Sequence, residues 1–252
     1  ERPILLLRKR PNTLCDAIAP DNTHIGLMLP YTPLHVLLVD RPLVMTSANY
    51  SGEPIVKDNV EALEKLAPIA DAFLLHDRAI HVHCDDSVLR VVADGEYPVR
   101  RSRGYAPFPV TLPLEVPPLL AVGGELKSTF CLASGKHAFM SQHIGDMENL
   151  ETLQAFAGAF DHMRALFRIE PQIVACDLHP RYLSSGWARR FAETNDLRLI
   201  PVQHHHAHIA SAMAENGLNG LQRVIGFSYD GTGYGDDDAI WGGEVLMAAY
   251  AG

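Results

Sequence analysis

The stretch "RLIPVQHHHAHIAS", Arg198 to Ser211, hands an apolar strand directly to a helix. Four of its residues are histidines, in a chain that holds only 13. "RLIPVQ" reads as a strand and "HHAHIASAMAEN" as a helix, with Asn216 and Gly217 as its stop. Upstream, "QIVACDL" is a strand and "YLSSGWARRFAE" a helix. Before these lies a longer helix in "ENLETLQAFAGAFDHMRALF". Its Leu150, Leu153, Phe156, Phe160, Met163 and Phe167 recur every three to four residues and make one apolar face.

Three closely spaced strands precede that helix: "PLLAVG", "STFCLASG" and "HAFMSQHIG", with Gly123, Gly124 and Gly135 as turn markers. Downstream, "RVIGFSYDGTGYGDDDAIWGGEVLMA" reads as two strands around a Gly-rich turn. A strand group, then β-α-β-α, then a second hairpin is the order of one half of an actin-like nucleotide-binding fold. The last strands open its second half.

The N-terminal block alternates apolar runs with helical patterns. "ILLL", "IGLML", "PLVMT", "AFLLH", "SVLRVV" and "YPVRR" read as strands. "TPLHVLLV" and "DNVEALEKLAPIA" read as helices, the second starting near Asp58 or Asn59. The expected class is α/β with a mixed or twisted sheet. Between the blocks, "RGYAPFPVTLPLEVPP" (Arg103 to Pro118) carries five prolines and no helical period, so residues 106–117 read as an extended linker. Expected boundaries are therefore 1–105, 106–117 and 118–252. Glu1 is followed at once by a strand and the C-terminus is strand-like, so both ends read as cut from a longer polypeptide.

At 47% hydrophobic and 20% charged, the 252 residues have a foldable composition. A net charge of -9 argues against general nucleic-acid binding, which rests on Lys and Arg. The four cysteines stand apart, with no C-x-x-C pair to suggest a zinc finger. Isolated thiols and no signal peptide point to a reducing cytoplasm. The apolar runs are too short to span a bilayer.

Six stretches could carry chemistry. His204 and His208, four apart at the start of a helix, share a face and could bind one metal ion. His205 and His208 are the alternative pair. Imidazole suits Fe, Zn, Ni or Cu. The plainer alternative is a solvated helix face, but the C-terminal end of a strand in an α/β sheet is a usual place for a site.

In "SYDGTGYGDDD", Asp230 ends a strand and leads Gly231, Gly233 and Gly235, a pattern that lets backbone N–H groups approach a phosphate. His204, His208 and Asp230 then make a three-ligand set with open positions. The Asp236–Asp238 run reads as a solvated turn.

"VMTSANYSGEPI" offers Ser47 and Asn49 to a nucleotide, or simply makes a Ser/Asn turn. "VRRSRGY" brings Arg100, Arg101 and Arg103 together, either for phosphate or as a solvated strand end. "HDRAIHVHCDDSVLR" clusters His76, His81, His83, Cys84, Asp85 and Asp86 without a fixed ligand spacing, so no metal is assigned there. Ser87 is the better ligand contact. "CDLHPRY" places Asp177 and His179 at another strand end.

Together, "MTSANYSGEPI", "CDDSVLRV", "RRSRGYAP", "GGELKSTFCL", "SQHIGDMENL", "CDLHPRYLS", "VQHHHAHIAS" and "DGTGYGDDDAIWGGE" resemble the HypF family of [NiFe]-hydrogenase maturation carbamoyltransferases. The motifs run through nearly the whole chain in the family's order. The resemblance implies the later part of a YrdC-like domain followed by the first half of a TsaD-like, actin-fold domain. It implies that carbamoyl phosphate and ATP yield carbamoyl-adenylate. The carbamoyl group would then pass to the C-terminal cysteine of HypE.

By position, the resemblance makes His204, His208 and Asp230 ligands of a divalent metal, Fe or Zn, with Mg accompanying ATP. It assigns Ser47, Asn49, Ser87, Arg100 and Arg101 to the YrdC-type nucleotide site. More weakly, Gly231, Gly233, Asp177 and His179 fall to a nucleotide in the second domain. Regions expected on both sides of this stretch are absent, so the fragment is expected to be incomplete for the whole reaction. The nearest rival is an O-carbamoyltransferase of antibiotic or nodulation-factor type, in which the two domains come in the reverse order. A tRNA threonylcarbamoylation pair would carry the two activities on separate chains. A non-catalytic binding fragment is the alternative from another class.

Overall fold

The computed structural model of the chain describes residues 1–10 and 14–251. It divides into two compact units, Glu1–Pro107 and Phe108–Gly252.

In the first unit, β1 (Ile4–Arg8), β2 (His24–Leu27), β3 (Val88–Val92) and β4 (Gly95–Arg100) form one sheet. The order is β2-β1-β3-β4, with β1 and β3 parallel and the other pairs antiparallel. Two helices join it, α1 (Pro33–Leu38) and α2 (Asn59–Leu66). Asp58 caps α2, accepting from Val60 N–H at 2.8 Å and Glu61 N–H at 3.1 Å.

"PLVMT" and "AFLLH" are not strands: residues 42–46 and 72–76 lie outside any strand or helix. Leu43, Val44, Met45 and Leu74 are largely exposed. An apolar run becomes a strand only when a neighbour takes its backbone hydrogen bonds, and neither run pairs with one among the described residues.

The second unit is built on a sheet of order β6-β5-β7-β8. Its strands are β5 (Val110–Val122), β6 (Phe130–Met140), β7 (Ile173–Asp177) and β8 (Arg198–Val202). β5, β7 and β8 are mutually parallel, and β6 runs antiparallel to β5. Helices α3 (Leu150–Phe167) and α4 (Leu183–Thr194) meet over the core through edge-to-face rings. Phe156 and Phe160 lie 5.0 and 5.3 Å from Trp187, and Phe130 lies 5.3 Å from Phe156. Helix α5 (His204–Glu215) packs Ile209 and Met213 against the hairpin of β9 (Val224–Ser228) and β12 (Glu244–Ala248). A small hairpin, β10 (Gly233–Tyr234) and β11 (Ile240–Trp241), sits inside that connection.

Two expectations need correction here. Residues 110–117 are not linker but the first part of β5. Pairing with β6 slips between Thr111 and Val116 and again between Val116 and Leu119, around Pro113, Pro117 and Pro118. Proline lacks the N–H a regular ladder needs, so the surplus residues bulge on the proline side. The parallel partner β7 joins only from Leu119 onward, past the last proline. Likewise the three short strands are two long ones. Gly135 does not end a strand; at φ +59 it sits inside β6 opposite Val116, at one of these slips.

None of the described helices is long and apolar enough to cross a membrane.

Candidate metal centre

Parallel strands bring their C-terminal ends to one edge, and here three ends converge. Asp177, the last residue of β7, is in register with Val202, the last of β8. Gln203 caps α5 by accepting from His206 N–H at 2.9 Å, so His204 opens the helix directly above β7. A Cβ placed on Gly124, just past β5, would lie 3.7 Å from His204 Cε1 and 4.0 Å from Asp177 Oδ2.

His208 follows one helical turn later on the same face. Asp230 comes two residues after β9, which packs along α5. His204 Nε2, His208 Nε2 and Asp230 Oδ2 form a near-equilateral triangle with sides of 3.0, 3.2 and 3.2 Å. Among the described residues these three form a group whose ligand atoms all lie within 4.8 Å of one another. Donors held about 2.1 Å from one ion lie about 3.0 Å apart at right angles and about 3.4 Å apart at the tetrahedral angle. The triangle falls between these, with one side left open for further ligands.

The protonation pattern points the same way. Buried Asp177 Oδ2 accepts from His204 Nδ1–H at 2.6 Å. A neutral His204 therefore turns the lone pair of Nε2 toward a carboxylate oxygen and a second imidazole nitrogen. His204 Nε2 and Asp230 Oδ2 are then two acceptors 3.0 Å apart, and they need positive charge between them. A proton on His204 answers part of that need, and its pKa is raised by the Asp177 hydrogen bond, with Asp230 adding to the effect against burial. Burial pushes the Asp230 carboxyl up, but hydrogen bonds from His204, Thr232 N–H and His208 outweigh it and hold the pKa low. A divalent cation would satisfy all three ligand atoms at once, with His208 in the tautomer that leaves its Nε2 lone pair free, and the donor set fits one.

The other candidates fall out differently. Asp177 is engaged within the protein. Its second oxygen accepts from His179 N–H at 2.8 Å, so both oxygens are engaged and the residue orients His204. Gly233 is buried under the histidines: a Cβ there would come within 2.4 Å of His205 Cε1. It is a packing glycine, whereas Gly231 is open. His179 stacks on Tyr182 at 3.9 Å, edge-on to Tyr234, and burial pushes its pKa down. The Asp236–Asp238 run is exposed as expected; Asp237 and Asp238 accept from Trp241 and Tyr234 within the small hairpin.

In the first unit, Ser87 is not available to a ligand. Its hydroxyl donates to Arg103 O at 2.9 Å and accepts from Ser102 N–H at 2.8 Å, fully buried. Arg100 is taken up by Asp86 O and the Asp85 carboxylate, and Arg101 donates to Tyr105 O. Arg103 ties Asp86, Glu1 O and Arg2 O together over the Tyr31 ring. These arginines hold the unit together. Ser47 is exposed in its turn. Asn49 donates to Tyr50 O and Glu53 O, while its Oδ1 is buried without a partner, an acceptor waiting for a donor.

Sequence reasoning missed Glu125. Its carboxylate accepts from Leu183 N–H at 2.9 Å and also from Ser184 N–H, capping α4 from the far end of β5. Beside His208 and Asp230 a groove of about 480 Å³ opens between α5 and β9, with Met213, Phe227 and Tyr229 in its walls.

Comparison with known proteins gives three family matches. Residues 1–102 match a family described as Sua5/YciO/YrdC, telomere recombination. Residues 115–215 match the HypF Kae1-like domain. Residues 226–252 match the second subdomain of a carbamoyltransferase Kae1-like domain. The chain is similar to carbamoyltransferase HypF of Synechocystis, 47% identical over 97% of this chain and 32% of the relative. It is also similar to carbamoyltransferase HypF2 of Cupriavidus necator, 46% identical over 98% of this chain and 33% of the relative. It thus spans about a third of the length of these curated relatives. Among solved structures, a full-length HypF in phosphate- and nucleotide-bound form superposes with a TM-score of 0.90 at 50% identity. That match covers 98% of this chain and 39% of the other. The two units are thus a YrdC-like and a Kae1-like, or TsaD-like, α/β domain.

Proposed function

The chain belongs to the HypF carbamoyltransferase family, and from that premise we propose that it is the central part of an ATP-dependent carbamoyltransferase of [NiFe]-hydrogenase maturation. In this reading the parent protein forms carbamoyl-adenylate from carbamoyl phosphate and ATP, releasing phosphate and pyrophosphate. It then passes the carbamoyl group to the C-terminal cysteine thiolate of HypE, with AMP as the leaving group. The observation that carries the reading is the His204–His208–Asp230 triangle, three potential ligand atoms 3.0–3.2 Å apart at the strand ends of the Kae1-like unit. The order of the matches, YrdC-like before Kae1-like, supports this over the O-carbamoyltransferase alternative.

The chain's own groups divide the labour. His204, His208 and Asp230 would hold a divalent ion, Fe or Zn, whose Lewis acidity polarises a phosphate oxygen. Asp177 holds the His204 ring with Nε2 outward. Ser47 and Asn49 would contact the nucleotide of the first unit, where the unpartnered Asn49 Oδ1 suits an amino or hydroxyl donor. Arg100, Arg101 and Ser87 support that unit's frame and would act on the nucleotide only through it.

The test uses the full-length parent protein. ATP–pyrophosphate exchange should require carbamoyl phosphate, and radiolabelled carbamoyl should appear on a HypE-type C-terminal cysteine peptide. Exchange that instead requires threonine and bicarbonate overturns the proposal.

A further inference from the structure

Between the two candidate metal ligands stands His205, which α5 turns into the protein, where it is fully buried. Its Nδ1 lies 3.1 Å from Gln203 Nε2, and its Nε2 lies 3.3 Å from the Asp230 main-chain oxygen. The Gln203 amide has only one orientation open to it. Its Oε1 accepts from His206 N–H as the helix cap, which leaves Nε2 to face His205 and, at 3.4 Å, the Tyr234 main-chain oxygen. An amide nitrogen only donates and a carbonyl oxygen only accepts. His205 must therefore accept at Nδ1 and donate from Nε2. Two neighbours on opposite edges of the ring demand the same tautomer.

We propose that Gln203 and His205 are positioning residues that pin the Asp230–Tyr234 loop to the first turn of α5, through a hydrogen-bond chain whose direction is set by the helix cap. Gln203 and His205 reach the two ends of that loop, Tyr234 O and Asp230 O. The ring also fills the space that the missing Cβ of Gly233 leaves, since a Cβ there would meet His205 Nδ1 at 2.6 Å. The chain ends one residue's main chain away from the carboxylate that faces His204 and His208. Outer partners of this kind fix where a ligand atom stands, and losing one typically costs about 10–100-fold in metal affinity. The inference rests on the metal reading only for its effect on affinity; the tautomer stands by itself.

The experiment has two arms on the full chain. In the metal-free, ¹⁵N-labelled protein, long-range ¹⁵N–¹H correlations should show the His205 proton on Nε2. Gln203→Glu, equal in shape but without a donor, should deplete that tautomer. In the second arm, zinc affinity is measured by competition with a chromophoric chelator. His205→Leu should weaken it about tenfold or more. His205→Gln, whose amide nitrogen can still donate to Asp230 O, should bind close to wild type. A space-filling histidine predicts no difference between Leu and Gln. The proposal is overturned if the wild-type proton sits on Nδ1, or if a folded His205→Leu protein binds zinc normally. Should His205→Leu fail to fold, Gln203→Glu at the half-buried helix end carries the test. If the wild type takes up no zinc, the metal reading fails, while the tautomer arm still decides the clamp.

Discussion

His204 Nδ1 and Asp177 Oδ2 stand 2.6 Å apart, joining the first residue of α5 to the last residue of β7. The bond follows from the register of two parallel strands, since Asp177 pairs with Val202 and His204 comes two residues later. It fixes which nitrogen of His204 is free, and thus decides what the triangle can bind.

Replacing Asp177 by Asn keeps the shape and removes the charge that holds Nδ1–H. Zinc affinity of Asp177→Asn should fall about 10–100-fold, with the circular dichroism spectrum unchanged. Chelator competition measures the first and the spectrum checks the second.

Removing a ligand atom itself should cost more than that. In the full-length parent, His204→Ala, His208→Ala and Asp230→Ala should each lose bound metal and carbamoyl transfer. Carbamoyl phosphate-dependent ATP–pyrophosphate exchange should stay near wild type if, as proposed, that step belongs to the other unit. Equal loss of both activities would sink the two-site division.

Acidity should act on the metal-free and metal-loaded forms in opposite ways. The raised pKa of His204 comes first from its Asp177 hydrogen bond, so the protonated ring stabilises the metal-free fold. That stabilisation is complete below the ordinary histidine value of about 6.5 and fades as pH rises through the raised one. Zinc needs the deprotonated ring, so uptake should strengthen across the same interval. Thermal melts of the metal-free chain and zinc titrations at matched pH values check the pair of trends. Uptake that is flat in pH rejects His204 as a ligand.

Glu125 caps α4 across 58 residues of chain. Burial raises its pKa, so the charge itself is disfavoured there and the acceptor oxygen is what counts. Glu125→Gln keeps an acceptor and should melt within a degree or so of wild type. Glu125→Ala should lose about 1 kcal/mol, roughly 2–4 °C in a melt.

What could be read from residues alone was the run of elements around the histidines. The heptad-like recurrence from Leu150 to Phe167, the strand before His204 and the glycines after Asp230 are local patterns, and they found α3, β8, α5 and the last hairpin. The misses have nonlocal causes. Prolines 113, 117 and 118 looked like linker because proline forbids a regular ladder, yet β6 tolerates them through slipped register. The apolar runs at 42–46 and 72–76 had strand composition but no strand partner among the described residues, and composition does not reveal partners. Ser87 and Arg100 had the right chemistry for phosphate, but other backbone groups claim them, which only packing can show. Asp177 was within reach: two successive strands ending in "CDLHPRY" and "VQHHHAH" put both tails on one edge of a parallel sheet, and an aspartate beside a histidine there is a ready orienting partner.

The span of chain between the triangle's members has its own effect. His208 and Asp230 are 22 residues apart, and His204 and Asp230 are 26 apart. An ion gripped by these three side chains is a removable cross-link that ties helix and hairpin into closed rings. Like any staple across such a loop, it takes freedom from the unfolded chain. Stripping the ion should therefore leave the C-terminal hairpin as the first segment that a protease can cut.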